Sequence, residues 1–308
     1  MLILMCKDTM VYNLETEEVY SKELLPGIMT KTPCTQSFDL WQEGRYSSNT
    51  NSYARSLRGL TFGLDSRDKI NTVTREFSLS DCYWIKDISD RTSFKQLTPY
   101  CNDYWKGEEP YVEGAVPTLY VNGVRPKFWE NGTLLVKHSN AVEVECLELA
   151  NKLGMDNCCH GKIIDENKIG VNNFTDTDRM FEPASFSGKL NPEDFTDDTI
   201  IDLLQETGID TVIIDAIVGN GDRHAGNFGF LRSSETGEYL GAAPIFDFDH
   251  ALDSQIHGKD ILISSAASAL CNSDKGITRL HQIYERSKDI EMRESFRTRL
   301  EALNKLLH

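Results

Sequence analysis

Residues 210–219, Asp-Thr-Val-Ile-Ile-Asp-Ala-Ile-Val-Gly, are apolar nearly all round, and a helix of that kind is stable only where protein covers it on every side. The segment therefore commits the C-terminal part of the chain to elements packed around it, and its closing Gly219 suits a left-handed cap. It leads into a turn crowded with chemistry, Asn220-Gly-Asp222-Arg-His224-Ala-Gly-Asn227. Asn-Gly-Asp alone is a turn signal, and an Asp in a loop is most often solvated or capping; here a rigid buried element presents it. Phe228–Leu231 and Ala243–Phe246 read as two strands joined by Ser-Ser-Glu-Thr-Gly, a hairpin that sets Asp247 beside Asn227. An Asp, an Asn five positions on and a second Asp beyond a hairpin form a pattern that can orient a hydroxyl nucleophile and hold the Mg²⁺ ions bridging the phosphates of ATP.

A second group of residues lies about ninety positions upstream. Val116–Val121, Val124–Trp129 and Thr133–His138 are strand-like runs separated by Asn122-Gly123 and by Glu130-Asn131-Gly132, strong short-range hairpin signals that predict a three-stranded meander. Lys137 on the third strand shares a face with Leu135. A lysine there, beneath a glycine-containing hairpin, is an arrangement that covers and neutralises phosphates; a lysine guarding an edge strand against aggregation reads the same way. Residues 143–154 follow with helix-forming composition, apolar residues at helical spacing and a terminal Gly154. Glu143 is close enough in sequence to pair with Lys137, and Glu145 is an open alternative.

On these residues the chain resembles the HipA-like kinase family, bacterial serine/threonine kinases of the toxin type, in the branch that includes the CtkA-like kinases. The resemblance rests on Gly123-Val-Arg-Pro-Lys127-Phe-Trp129, Lys137, Glu143, the 220–229 loop and Ala243-Pro-Ile-Phe-Asp247. Upstream, Ser78-Leu-Ser-Asp-Cys-Tyr-Trp-Ile85, preceded by Arg55-Ser-Leu-Arg58, is similar to a segment of many Firmicutes-type members.

The resemblance implies an α+β, bilobal protein-kinase-like fold: an N-terminal accessory region over 1–108, a β-rich nucleotide-binding lobe over 109–190 and a helical catalytic lobe over 191–308. It implies a kinase that uses ATP and Mg²⁺ and transfers the γ-phosphate to a Ser or Thr hydroxyl of a protein substrate, with an antitoxin protein as a further partner. Asp222 would be the catalytic base, Asn227 and Asp247 the Mg²⁺ ligands, and Lys137 the phosphate contact. Gly123, Val124 and Lys127 would form the phosphate loop, with Glu143 and His224 supporting the nucleotide site and Arg223 and His224 organising the loop. Val121-Asn122-Gly123-Val124 has no hydroxyl where the family carries a regulatory serine, although Thr118 lies nearby. The same carboxylates would serve a lipid or small-molecule kinase, and a nucleotide-binding pseudokinase acting as an interaction module is the non-enzymatic reading.

Composition narrows the field. A chain of 308 residues exceeds the usual span of one core, and 40% hydrophobic residues suit a globular protein. No stretch approaches a membrane span. Met1–Cys6 is far shorter than a secretory h-region and reads as a first strand. A formal charge of −16 without a basic run argues against direct nucleic-acid binding. The eight cysteines include no Cys-x-x-Cys pair, which points to reduced structural thiols and a cytoplasmic setting. Cys158-Cys159-His160 is a poor tetrahedral site without a second cluster. Residues 277–307 carry spaced apolar side chains among charges, as amphipathic helices do.

Overall fold

The computed structural model describes residues 1–43, 75–98, 100–102, 127–130, 132–189, 208–252, 266–270 and 274–306. Among the described residues the fold mixes α and β, with three antiparallel sheets and helices gathered around two hydrophobic cores. The expected strand at 116–121, Gly123 and Val124 of the expected phosphate loop, Thr118, and Arg55 and Arg58 lie outside the described residues.

The first sheet has the order β2-β1-β3, with β1 Leu2–Cys6, β2 Thr9–Asn13 and β3 Tyr83–Asp87. The Met1–Cys6 run is thus a strand, and its Ile3, Leu4 and Met5 are buried with Trp84 in a core of their own. Phe77 stacks on Trp84 at 5.3 Å. A helix, α1 (Thr35–Glu43), adds Phe38 and Trp41, the latter edge-on to Tyr83. A single turn, α2 (Phe94–Leu97), is closed by a Ser93–Gln96 capping box.

The second sheet contains β4 Lys127–Glu130, β5 Leu134–His138, β6 Gly161–Asp165 and β7 Lys168–Asn172 in the order β4-β5-β7-β6. β5 lies between β4 and β7, so the edge-strand reading of Lys137 is overturned. The next helix, α3 (Ala141–Lys152), starts at Asn140, whose side chain accepts the Val142 N–H. It packs so tightly on the sheet that a Cβ at Gly161 would meet Leu147 at 3.0 Å and Val144 at 3.3 Å.

The third sheet joins β8 (Arg179–Pro183), β9 (Gly229–Ser233) and β10 (Tyr239–Ala242) in the order β10-β9-β8, and so spans residue 190. The hairpin at 228–246 exists, but its second strand is Tyr239–Ala242 rather than Ala243–Phe246. Gly241 at φ 141° breaks the register, and Pro244 has no N–H to offer a ladder. Ile245 instead bridges Cys158 in parallel, taking the Cys159 N–H at 2.9 Å.

The apolar run forms α4 (Ile209–Val218), with every side chain from Thr211 to Val218 buried and Gly219 at φ 66°. Each such Ile or Val adds roughly 1.5–3 kcal/mol over its exposed state. Two amphipathic helices, α5 (Asp274–Ser287) and α6 (Glu294–Leu306), cover it with Leu280, Ile283, Phe296, Leu300 and Leu303. Arg299 donates to the Ala216 carbonyl, satisfying an orphan acceptor at the α4 C-terminus. Cys158 and Cys159 are buried free thiols beside an exposed His160, as a structural role requires. No helix among the described residues is long and apolar enough to cross a membrane.

Candidate active site

Helix α4 sets the site through one residue that sequence reading passed over. Asp215 is the lone carboxylate in the buried stretch of that helix, and it takes two hydrogen bonds from Arg223, at 2.8 and 2.9 Å, with both side chains almost fully buried. Asn220 donates to the same carboxylate at 3.0 Å. Arg223 reaches on to the carbonyls of Asn227 (2.9 Å) and Phe246 (2.6 Å), so one guanidinium pins the 220–227 loop and the segment before Asp247 together. Burial opposes the charge on Arg223, yet the Asp215 carboxylate more than offsets it and raises the guanidinium pKa. An Asp inside an otherwise apolar helix was the available signal, because buried carboxylates are rare unless paired.

The loop then folds on itself. Asn227 accepts the His224 N–H through Oδ1 at 3.0 Å and donates Nδ2 to the Asp222 carbonyl at 2.9 Å. Its Oδ1 retains a second lone pair. The Asp222 carboxylate is about half exposed; His224 is exposed, and its ring Nδ1 accepts the Gly226 N–H at 3.0 Å, so backbone and ring both close the loop.

Across the cleft, Lys137 is 4% exposed and Glu143 0%. The Lys137 ammonium lies 2.5 Å from Glu143 Oε1 and 2.7 Å from Asp247 Oδ1. Burial works against its charge, but Asp247 and Glu143 outweigh that cost and push its pKa up. Burial also raises the Glu143 pKa; Lys137 opposes the rise and Asp247 adds to it. Glu143 Oε2 is buried without a hydrogen-bond partner among the described residues. Glu145 points elsewhere and pairs with Arg293 at 2.6 Å, which removes it as the partner of Lys137. Asp247 has φ 65°, a left-handed backbone that non-glycine residues seldom adopt and that Asp tolerates better than most. Lys127 stands opposite Lys137 in the β4–β5 register.

Lys137, Asp222, His224, Asn227 and Asp247 all line one cleft of about 330 Å³, within the range of small-molecule sites. Leu135, Val171 and the mutually packed Phe174, Phe181 and Phe246 supply apolar walls. The N-terminal region is part of this site: Ser78, Leu79, Ser80 and Asp81 form a further wall. They are held there by the Thr175 hydroxyl, which donates to the Leu79 carbonyl, and by the Phe181 N–H, which donates to that of Ser80. Asp249, the carboxylate two positions after Asp247, and His250, which sequence reading missed, line the cleft as well. Chemically, the cleft offers an ammonium for phosphate, hard oxygen donors for a divalent cation and a solvent-reaching carboxylate for a proton.

No protein-family model matches the chain, and no curated protein matches it. Among solved structures, it is similar to the Helicobacter pylori proinflammatory kinase CtkA at 18% identity, covering 59% of this chain and 88% of that one, with a TM-score of 0.37. A structure of the Shewanella oneidensis MR-1 toxin–antitoxin system, HipA and HipB with operator DNA, matches at 15% identity over 100% of this chain and 96% of that one, with a TM-score of 0.47.

Proposed function

We propose that this protein is an ATP- and Mg²⁺-dependent kinase that phosphorylates Ser or Thr hydroxyls of a protein substrate. The observation that carries the reading is the Lys137 ammonium held between Glu143 and Asp247 in the same cleft as Asp222 and Asn227. A scaffold needs no such convergence of a buried cation and acids around a half-exposed carboxylate.

In this reading Lys137 binds the phosphates, and Glu143 fixes its position. Asp222 accepts the proton of the attacking hydroxyl as the new phosphorus–oxygen bond forms and the bond to the ADP leaving group breaks. Asn227 and Asp247 would hold Mg²⁺; their amide and carboxylate oxygens suit a hard ion, which when bound neutralises phosphate charge. The apolar walls suit a nucleoside base. On the sequence resemblance, an antitoxin protein is the proposed regulator.

The test is to incubate purified protein with labelled ATP and a cell extract, then identify modified residues by mass spectrometry. Phosphoserine or phosphothreonine that disappears with Asp222→Asn is expected. Label confined to lipids or small molecules would replace the protein acceptor, and nucleotide binding with no transfer at all would make the protein a pseudokinase.

A further inference from the structure

Asp222, Asp249 and His250 each turn one ligating atom toward the others, all within 4.8 Å. The His250 Nε2 atom is 3.8 Å from Asp222 Oδ2 and 3.9 Å from Asp249 Oδ1. Those separations exceed a hydrogen bond. They fit two ligands of one cation, since bonds from zinc to imidazole nitrogen or carboxylate oxygen are each about 2.0–2.2 Å. The backbone supports the grouping: Phe248 is fully buried and the Ala251 N–H closes a turn onto its carbonyl, while Asp249 and His250 line the cleft.

A second observation points the same way. Glu143 Oε2 is a fully buried acceptor with no partner among the described residues, and Asp247 and Asp249 both act against its charge. Buried polar atoms are normally satisfied. Asp249 is thus within electrostatic reach of Glu143, which places the buried acceptor beside the same group of carboxylates.

We infer that Asp222, Asp249 and His250 form a cation site separate from Asn227 and Asp247, one that takes a first-row transition divalent ion in preference to Mg²⁺ and needs no nucleotide. The imidazole nitrogen provides the selectivity, because Mg²⁺ favours an all-oxygen shell and dehydrates reluctantly, whereas transition ions accept nitrogen. An ion on Asp222 competes with the proton that residue is proposed to accept. On the kinase reading, occupancy of this site therefore lowers phosphoryl transfer, but the site itself does not depend on that reading.

The test is a titration of the full chain with Mn²⁺ alone, following the free-ion electron paramagnetic resonance signal without nucleotide. Uptake of one ion per chain is expected, retained in tenfold excess Mg²⁺ and weakened about tenfold or more by His250→Ala and by Asp249→Asn. Circular dichroism checks each variant, and the two are read independently, so a folding defect in one leaves the other to decide. Asp247→Ala should keep nucleotide-free uptake. No uptake by the wild type, displacement by Mg²⁺, uptake indifferent to both substitutions, or equal loss with Asp247→Ala would each overturn the site. None of these outcomes bears on whether the protein transfers phosphate.

Discussion

Glu143 and Glu182 are both carboxylates sealed from solvent and paired with a cation, but their surroundings differ. Glu182 has both oxygens engaged: Oε2 accepts from Arg232 at 2.8 Å and from the Gly27 N–H at 3.2 Å, and Oε1 accepts from the Tyr239 hydroxyl at 2.5 Å. Arg232 in turn donates to the carbonyls of Glu23, Leu25 and Gly237. Glu143 engages one oxygen, and its lysine is shared with a partly exposed Asp247. The saturated network fastens residues 23–27 to the β8–β9 pair and leaves neither Glu182 oxygen without a partner. Both networks reach the cleft, through Glu182 in one and through Lys137 and Asp247 in the other, but the second keeps an acceptor over at Glu143 and opens to solvent at Asp247. Buried charge alone does not distinguish architecture from chemistry; leftover valence does.

The largest expected effect tests the chemical side of that contrast. Asp222→Asn should lower phosphoryl transfer by about 10² to 10⁴-fold, the usual contribution of a positioned general base, with ATP binding and melting temperature almost unchanged. Labelled-phosphate transfer within a few-fold of wild type would remove Asp222 from the base role.

Next comes the architectural side. Arg232→Met leaves Glu182 buried without its cation and should cost about 3–5 kcal/mol in urea unfolding, the range for breaking a buried pair. Turnover per folded molecule should change little.

Lys137→Met sharpens the comparison, because it also strips a cation from a buried glutamate. Lys137 bonds only the carboxylates of Glu143 and Asp247, whereas Arg232 also holds the carbonyls of Glu23, Leu25 and Gly237, so fewer acceptors lose a partner. The stability loss should be smaller than that of Arg232→Met, while transfer is nearly abolished. Urea midpoints in the reverse order would break the distinction between the two networks.

The smallest effect is a pH slope. Burial raises the Glu182 pKa above its ordinary 4.5, against the opposing pull of Arg232. The folded carboxyl therefore binds protons where the unfolded one has lost them, so its contribution to stability declines as pH rises above about 4.5. Melting curves taken upward from that pH should show a shallower decline for Glu182→Gln than for wild type. An unchanged slope would mean Glu182 does not titrate in the fold.

What could be read from the sequence was what neighbouring residues decide. The α4 helix and its Gly219 cap, α3 with Glu143 in its first turn, and the strand carrying Lys137 all follow from periodicity, capping and turn signals within a few positions. Pairing between distant segments could not be read: nothing near Lys137 announces β7 as its neighbour, and nothing in Ser78–Asp81 says that it walls a cleft against Thr175 and Phe181. Glu143 and Glu145 were equivalent on paper, since the choice depends on which side of α3 meets the sheet and which meets Arg293. The late strand was misplaced because Ala243–Phe246 has strand composition, while Gly241 and Pro244 end the ladder before it. Asp215 was hidden by the apolar run that makes it effective.

The left-handed backbone at Asp247 has a consequence for any library that varies this position. An ordinary L-residue in that conformation costs roughly 1–2 kcal/mol, and β-branched side chains fare worst. A selection for folded protein alone should therefore enrich Gly and Asn there, the residues that relieve or tolerate the twist, whereas a selection for phosphate transfer should return Asp. The two screens would disagree at this codon, and the disagreement would measure how much folding preference has been given up to place one carboxylate beside Lys137.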